Sequence, residues 1–444
     1  MAIHAKQALL PGGWTEDVRL TTAAGRIVSV ESQVAARPGD HCAGILLPGM
    51  PNLHSHAFQR GFSGLTELRG AGPDSFWTWR EMMYRFALSL TPDQMQAIAA
   101  MACVEMLEAG YTRLGEFHYL HHAPDGRPYA DPAEMSGRIF AAARDTGIAL
   151  THLPVFYAHG GFGPTPAGDG QRRFLHSYDA FAHLVEHCAP LRREQDRVGI
   201  APHSLRAANM AEIRRLAADF PDRPFHIHIA EQVKEVEDCL GFCGARPVEY
   251  LLAQAPVDPS WCLIHATHLT RAETSAIAAS GAVVGLCPLT EANLGDGIFP
   301  GSDYLTAGGA WGIGTDSNVE ITVAGELKQL EYSQRLASRA RNVMTPGGSV
   351  GTALFAAALK GGAQALSVPE PQIAPGADAD LVALTDPLGS GFATGQIVDR
   401  WIFGRDLKVA DVWAFGAHVV QGGEHILRAP VAAAYASALR AVLA

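Results

Sequence analysis

From residue 48 onward the chain repeats one arrangement of apolar and polar positions. A short apolar run comes first, and a longer segment with apolar residues at a 3.6-residue spacing follows it. The runs are "GMPNLHSH", "TRLGEFHYL", "IALTHLPVFY", "VGIAPHS", "FHIHIAE", "CLIHATHL", "AVVGLCP" and "WGIGTDS". Helical periodicity is clearest in "TPDQMQAIAAMACVEMLEAG" and "DPAEMSGRIFAAARDTG". The first of these opens on Thr91-Pro92, a cap followed by proline in the first turn, and closes at Gly110. Strands alternating with helices predict a parallel sheet, and eight runs is the number that closes a (β/α)8 barrel. The ends of the chain read differently. "AKQALL" and "DVRLTTAAGRIVSVES" near the start, and "PGADADLVALTD" and "VADVWAFGAHVVQGG" near the end, are short alternating strands between Gly and Asp turns. The expected organisation is α/β: a barrel over 48–373, with one small β-sandwich domain assembled from 1–47 and 374–444.

In each of the eight runs the polar residue falls at or just beyond the apolar stretch. Barrel sites form where the C-terminal strand ends converge, so this placement marks those residues as site candidates. His54 and His56 end the first run, and alternation in an extended chain points both the same way. His228, His265 and Asp316 end the fifth, sixth and eighth. Closure sets strands one and eight side by side and opposes them to five and six. Three or four His and Asp side chains around one point suit a catalytic metal ion with an open water position. His226 shares a face with His228, and His228 is preferred because it lies nearer the strand end. An acid such as Asp316, with no basic neighbour in sequence, is costly to bury without a cation. The fourth run, "VGIAPHSL", has no lysine to bridge two metals, which favours a single ion.

Composition narrows the partners. With 48% hydrophobic and 18% charged residues among 444, a large core is available. A net charge of −11 and the lack of a basic cluster argue against nucleic acid. No apolar run is long enough for a membrane span. The first residues do not read as a signal peptide, and seven scattered cysteines do not read as a disulfide framework, so a cytoplasmic location is expected. Cys239 and Cys243, one turn apart, read as small apolar residues on a helix. The glycine-rich stretch 159–170 lacks the spacing of a phosphate or dinucleotide loop and reads as a mobile loop over the mouth.

HxH after strand one, His with Glu three residues later on strand five, His on strand six and Asp on strand eight resemble the amidohydrolase superfamily in its mononuclear deaminase branch. "HSHAFQRGFSGLTE", "FWTWREMMYRF", "GEFHYLHH", "LPVFYAHGGFG", "APHSLRA" and "HIHIAEQVKEVEDC" narrow the resemblance to the formimidoylglutamate deiminase family. That resemblance implies hydrolysis of N-formimino-L-glutamate to N-formyl-L-glutamate and ammonia, in histidine degradation. It implies that His54, His56, His228 and Asp316 hold one divalent ion, Zn2+ or else Fe2+. His265 would orient the attacking water, Asp316 would help take its proton, and Glu231 would carry protons to the leaving nitrogen. Gln59, Arg80, Tyr119, His203 and Arg206 would hold the glutamate moiety. Chemistry independently favours arginines here, because two carboxylates need planar, charged donors. A homodimer is the expectation from similar barrels. The rival readings are a deaminase of a purine, pyrimidine or triazine, a hydrolase releasing formamide, and a barrel without catalysis serving as a scaffold.

Overall fold

The computed structural model describes residues 1–69, 75–389 and 393–444. All eight expected runs form the barrel strands, in chain order and with parallel pairing. They are Met50–Ser55, Tyr111–His118, Ala149–Phe156, a fourth strand in two pieces (Arg197–Val198 and Ala201–Pro202), Phe225–Ile229, Trp261–His265, Val283–Leu286 and Ala310–Ile313. Regular pairing makes one ladder of the first four strands and another of the last four. Isolated bridges close the ring. Ile200 and Phe225 join the fourth strand to the fifth, and Ser55 and Asp316 join the first to the eighth.

The helices between strands start and stop for local reasons. The helix Pro92–Glu108 begins at Thr91, whose hydroxyl accepts the Gln94 N–H while the Gln94 amide oxygen accepts the Thr91 N–H. It ends at Gly110, whose φ of +95° is open to glycine and costly for other residues. The helix Val350–Ala365 returns to the barrel and lies directly on strands one and eight. A Cβ at Gly361 would overlap the carbonyl of Trp311, so only glycine allows this approach.

Both chain ends meet in one β domain, as the alternating terminal segments predict. Its eight strands follow one path: Glu424–His425, Ala417–Gln421, Lys408–Ala414, Leu381–Thr385, His41–Pro48, Ala2–Leu10, Gly13–Ala23 and Arg26–Glu31. The halves join where Leu381–Thr385 runs antiparallel to His41–Pro48. A separate core of Ile3, Val18, Leu20, Ile27, Leu381 and Trp413 fills the domain. His41–Pro48 leads into barrel strand one across a single residue, which ties the β domain rigidly to the HxH segment. The last helix, Arg428–Leu443, leaves the sheet and lies along Pro92–Glu108, where Arg428 pairs with Glu108 and the Arg60 guanidinium donates to the Tyr435 hydroxyl at 3.0 Å.

Replacing Gly361 by valine is expected to destabilise the fold by about 3 kcal/mol, since strand eight cannot retreat without opening the barrel. A lowered urea midpoint with an unchanged slope is the expected reading.

Candidate functional site

Strand one does not deliver its histidines by plain alternation alone. Three residues beyond Asn52 oppose two on strand two, a bulge that turns the strand end before Ser55. Asn52 is pinned by its bonds to Thr315: its amide nitrogen donates to the Thr315 hydroxyl at 2.8 Å and its oxygen accepts the Thr315 N–H at 3.1 Å. Strand eight ends against the same residues. The His54 carbonyl accepts the Thr315 and Asp316 N–H groups, and the Asp316 carbonyl accepts the His56 N–H. Asp316 itself has a φ of +43°, a left-handed conformation held by this ladder and by Asn318. The Asn318 amide donates to the Ser55 hydroxyl and to the carbonyls of His56 and Asp316, and its oxygen accepts from Thr315.

Four side chains then converge. His54 Nε2 lies 3.1 Å from His228 Nε2 and 3.4 Å from Asp316 Oδ1, and His56 Nε2 lies 3.2 Å from the same oxygen. The other ring nitrogens are committed on two of the three histidines. His56 Nδ1 donates to the Phe117 carbonyl at 2.8 Å, and His228 Nδ1 to the His203 carbonyl at 3.0 Å. Those bonds leave the Nε2 lone pairs facing a carboxylate and one another. Lone pairs crowded on an anion repel unless a cation lies between them. Burial pushes the His54 imidazole down to about 3 and His228 well below its ordinary value, so both are neutral, as metal ligands must be. Burial opposes ionisation of Asp316, yet the His54 hydrogen bond and the neighbouring imidazoles hold its carboxyl well below the usual range. The donor set fits one divalent ion.

His226, on the same face as His228, goes elsewhere: its Nε2 bonds the Ala365 carbonyl at 2.7 Å beneath the site. His265 stands beside the cluster, its Nε2 3.9 Å from Asp316 Oδ2 and 3.9 Å from Glu231 Oε1. Glu291 grips its other nitrogen at 3.2 Å while also accepting the Cys287 N–H. Burial would discharge His265, but Glu231, Glu291 and Asp316 together raise it to about 10. Glu231 is pushed up to about 7, mainly by burial, against the pull of His265 and Arg206. Its backbone turn, with Ala230 at φ +51°, is capped by Glu235, which accepts both the Ala230 and Glu231 N–H groups.

A cavity open at its mouth begins at these groups. His56, His228, Glu231, His265 and Asp316 line its floor, and His54 lies fully buried beneath. Gln59, Arg80, Tyr119, His203 and Arg206 line its walls, so every residue expected to bind substrate borders one space above the four-donor cluster. Gln59 donates to the Tyr119 hydroxyl at 2.7 Å and keeps a buried, unpartnered amide oxygen. Arg206 Nη2 lies 3.9 Å from Glu231, while its Nε is shut from solvent without a hydrogen-bond partner. Arg80, on the helix Phe76–Ser89, lies over the rings of Trp77 and Tyr84. The stretch 159–170 reaches the cavity through Gly160, and Phe162 within it stacks on Phe242.

Sequence reasoning misses Glu291, Asn318 and Tyr157. Glu291 sits in the first turn of Pro288–Leu294, where acids are ordinary, and only its approach to His265 distinguishes it. Asn318, two residues past Asp316 in "TDSN", carries a weak local signal. Tyr157 borders His203 at 4.8 Å between ring centres and accepts a hydrogen bond from Gln171.

Comparison with known proteins follows the same lines. Residues 45–415 match the model of the amidohydrolase family, and residues 1–44 match one described as formimidoylglutamate deiminase HutF, N-terminal domain. A formimidoylglutamate deiminase of Pseudomonas aeruginosa is 50% identical over 432 residues, covering 96% of this chain and 95% of that one. A 5-methylthioadenosine/S-adenosylhomocysteine deaminase of Nitratidesulfovibrio vulgaris is 29% identical over 387 residues, 83% of this chain and 79% of that one. Among solved structures, an amidohydrolase from Brucella melitensis is 52% identical and superposes with a TM-score of 0.97 over all of both chains. An adenosine deaminase from Xanthomonas campestris with bound zinc is 22% identical and shares the fold, with a TM-score of 0.80 over 100% of this chain and 98% of that one.

Replacing Asn318 by alanine removes its bonds to two hydroxyls and two carbonyls and loosens the turn that aims Asp316. Metal affinity, measured by competition with a chromophoric chelator, is expected to fall about 10- to 100-fold.

Proposed function

Because this chain belongs to the amidohydrolase family, we propose that its cavity hydrolyses the formimino group of N-formimino-L-glutamate, yielding N-formyl-L-glutamate and ammonia. The observation that carries the reading is the position of Glu231, 3.9 Å from His265 on one side and 3.9 Å from Arg206 on the other. It joins a metal-type donor cluster to a wall carrying two guanidiniums. The protonated formimino group is a delocalised amidinium that neutral water attacks poorly, and the rest of the substrate is a dianion. A carboxylate at the junction suits the cation, and arginines beyond it suit the anions. A flat, neutral heterocycle would leave Arg80 and Arg206 without partners, which disfavours the purine, pyrimidine and triazine readings.

His54, His56, His228 and Asp316 would hold the ion, which we take to be Zn2+, with Fe2+ compatible with the same donors. Bound there, such an ion would supply Lewis acidity, the means of making water a nucleophile at pH 7. His265, fixed by Glu291, holds and orients that water. Asp316 helps receive its first proton. Glu231 pairs as a carboxylate with the amidinium, takes the second proton of the attacking water and passes it to the nitrogen that leaves. Water's oxygen thus becomes the formyl oxygen, the carbon–nitrogen bond to the terminal nitrogen breaks, and ammonia departs protonated. Arg80, Arg206, His203 and Tyr119 fix the glutamate carboxylates, Gln59 accepts a substrate N–H at its free amide oxygen, and together they position the formimino carbon over the floor. The orphan Nε of Arg206 and amide oxygen of Gln59 are the groups such a substrate would satisfy. This reaction belongs to histidine degradation, and seven free cysteines suit the reducing cytoplasm.

The direct test is incubation of metal-loaded protein with N-formimino-L-glutamate, scoring ammonia against formamide. Ammonia with N-formyl-L-glutamate is expected; formamide with glutamate would refute the bond assignment. Glu231→Gln should keep its metal and lose most turnover. Arg206→Met should raise KM by about 100-fold, the equivalent of roughly 3 kcal/mol of charge-assisted bonding, with metal content unchanged. Activity should fall as pH drops through an acid limb at or below pH 7, because protonated Glu231 no longer pairs with the amidinium, and Glu231→Gln should abolish that limb.

A further inference from the structure

A second convergence of imidazoles and a carboxylate lies in the terminal β domain. His41 opens the strand His41–Pro48, Asp411 lies within Lys408–Ala414, and His418 lies on Ala417–Gln421. His41 Nε2 is 3.4 Å from Asp411 Oδ2, and His418 Nε2 is 2.9 Å from Asp411 Oδ1. One donor atom from each of the three lies within 4.8 Å of the others, as in the barrel cluster. The ring geometry repeats too. His41 and His418 are 5.0 Å apart between centres and 78° apart in plane, against 4.7 Å and 82° for His54 and His56.

We propose that His41, Asp411 and His418 form a second binding site for a divalent cation of the zinc type, clamping the two ends of the chain together. Without an ion the three groups are poorly matched. Asp411 accepts a hydrogen bond from His418, whereas His41 Nε2 is shut from solvent and has no hydrogen-bond partner. An ion among them satisfies both nitrogens and the carboxylate at once. Two imidazoles and one carboxylate suit a borderline cation, whereas calcium and magnesium call for more oxygens. The three side chains are only partly exposed, at 33%, 16% and 19%. Trp413 fixes the rings, stacking on His418 at 4.6 Å and meeting His41 edge-on at 5.2 Å. His41 precedes the whole barrel in sequence and the other two ligands follow it, so the ion would close a very long loop.

Stoichiometry tests the assignment independently of turnover. The full chain is stripped with chelator, reloaded with Zn2+, desalted and assayed for metal by atomic emission. Wild type is expected to carry one ion per chain more than His41→Ala, a variant that preserves the His418–Asp411 hydrogen bond and whose fold is checked by circular dichroism. His418→Ala should lose the same ion. His187→Ala should not, although it breaks the exposed His183–His187 pair, the rival surface chelator, whose ring centres lie 4.1 Å apart. In a chain already lacking the barrel ligands through His54→Ala and His56→Ala, Zn2+ should still raise the melting temperature, and adding His41→Ala should abolish that rise. Equal metal content in wild type and His41→Ala, or loss of the extra ion in His187→Ala alone, would overturn the proposal.

Discussion

Everything at the mouth of this barrel depends on an electrostatic conflict. Hydrogen bonds to backbone carbonyls turn the Nε2 lone pairs of His56 and His228 inward, onto a carboxylate that burial cannot neutralise. The protein holds that conflict in place with strong local devices: a bulge in strand one, a left-handed turn at Asp316, and Asn318 bonded to four groups around them. A cation resolves it. The floor of the cavity is thereby preorganised for Lewis-acid chemistry before any ligand arrives.

The rest of the architecture keeps that floor in register. Helix Val350–Ala365 presses on strand eight through Gly361 and on strand one through Gly362, which fixes the side of the barrel where three of the four donors sit. The β domain enters strand one almost without a linker, so the HxH segment inherits the rigidity of a second core. Glu291 and Glu235 act from the helices after strands seven and five, one steadying His265 and the other capping the turn at Glu231. Polar groups thus reach the site in two layers, with the outer layer built from helix starts.

Much of this was legible in the chain. The eight apolar runs are the eight strands because barrel strands are buried on both faces and show as continuous hydrophobic stretches. Their polar ends were legible because the mouth is where buried charge has a purpose, and His54, His56, His228, Glu231, His265 and Asp316 all come to it. Of His226 and His228, the one nearer the strand end is the one whose ring enters the cluster. What escaped notice depends on contacts between distant segments. Glu291 reads as a helix-start acid, Tyr157 as a core aromatic, and the split in strand four at Gly199-Ile200 has no periodic signature. The pairing of His41 with Asp411 and His418 across the length of the chain is of the same kind, invisible until the sheet is assembled.

Closure of strand one on strand eight at Ser55 and Asp316 has a consequence for how the chain matures. A nascent polypeptide displays HxH early in synthesis, but the complete chelate exists only after residue 316 has emerged and docked. Until then the growing chain carries an incomplete donor set, without its carboxylate. The four-donor cluster is therefore a property of the closed barrel and of no shorter stretch of the chain.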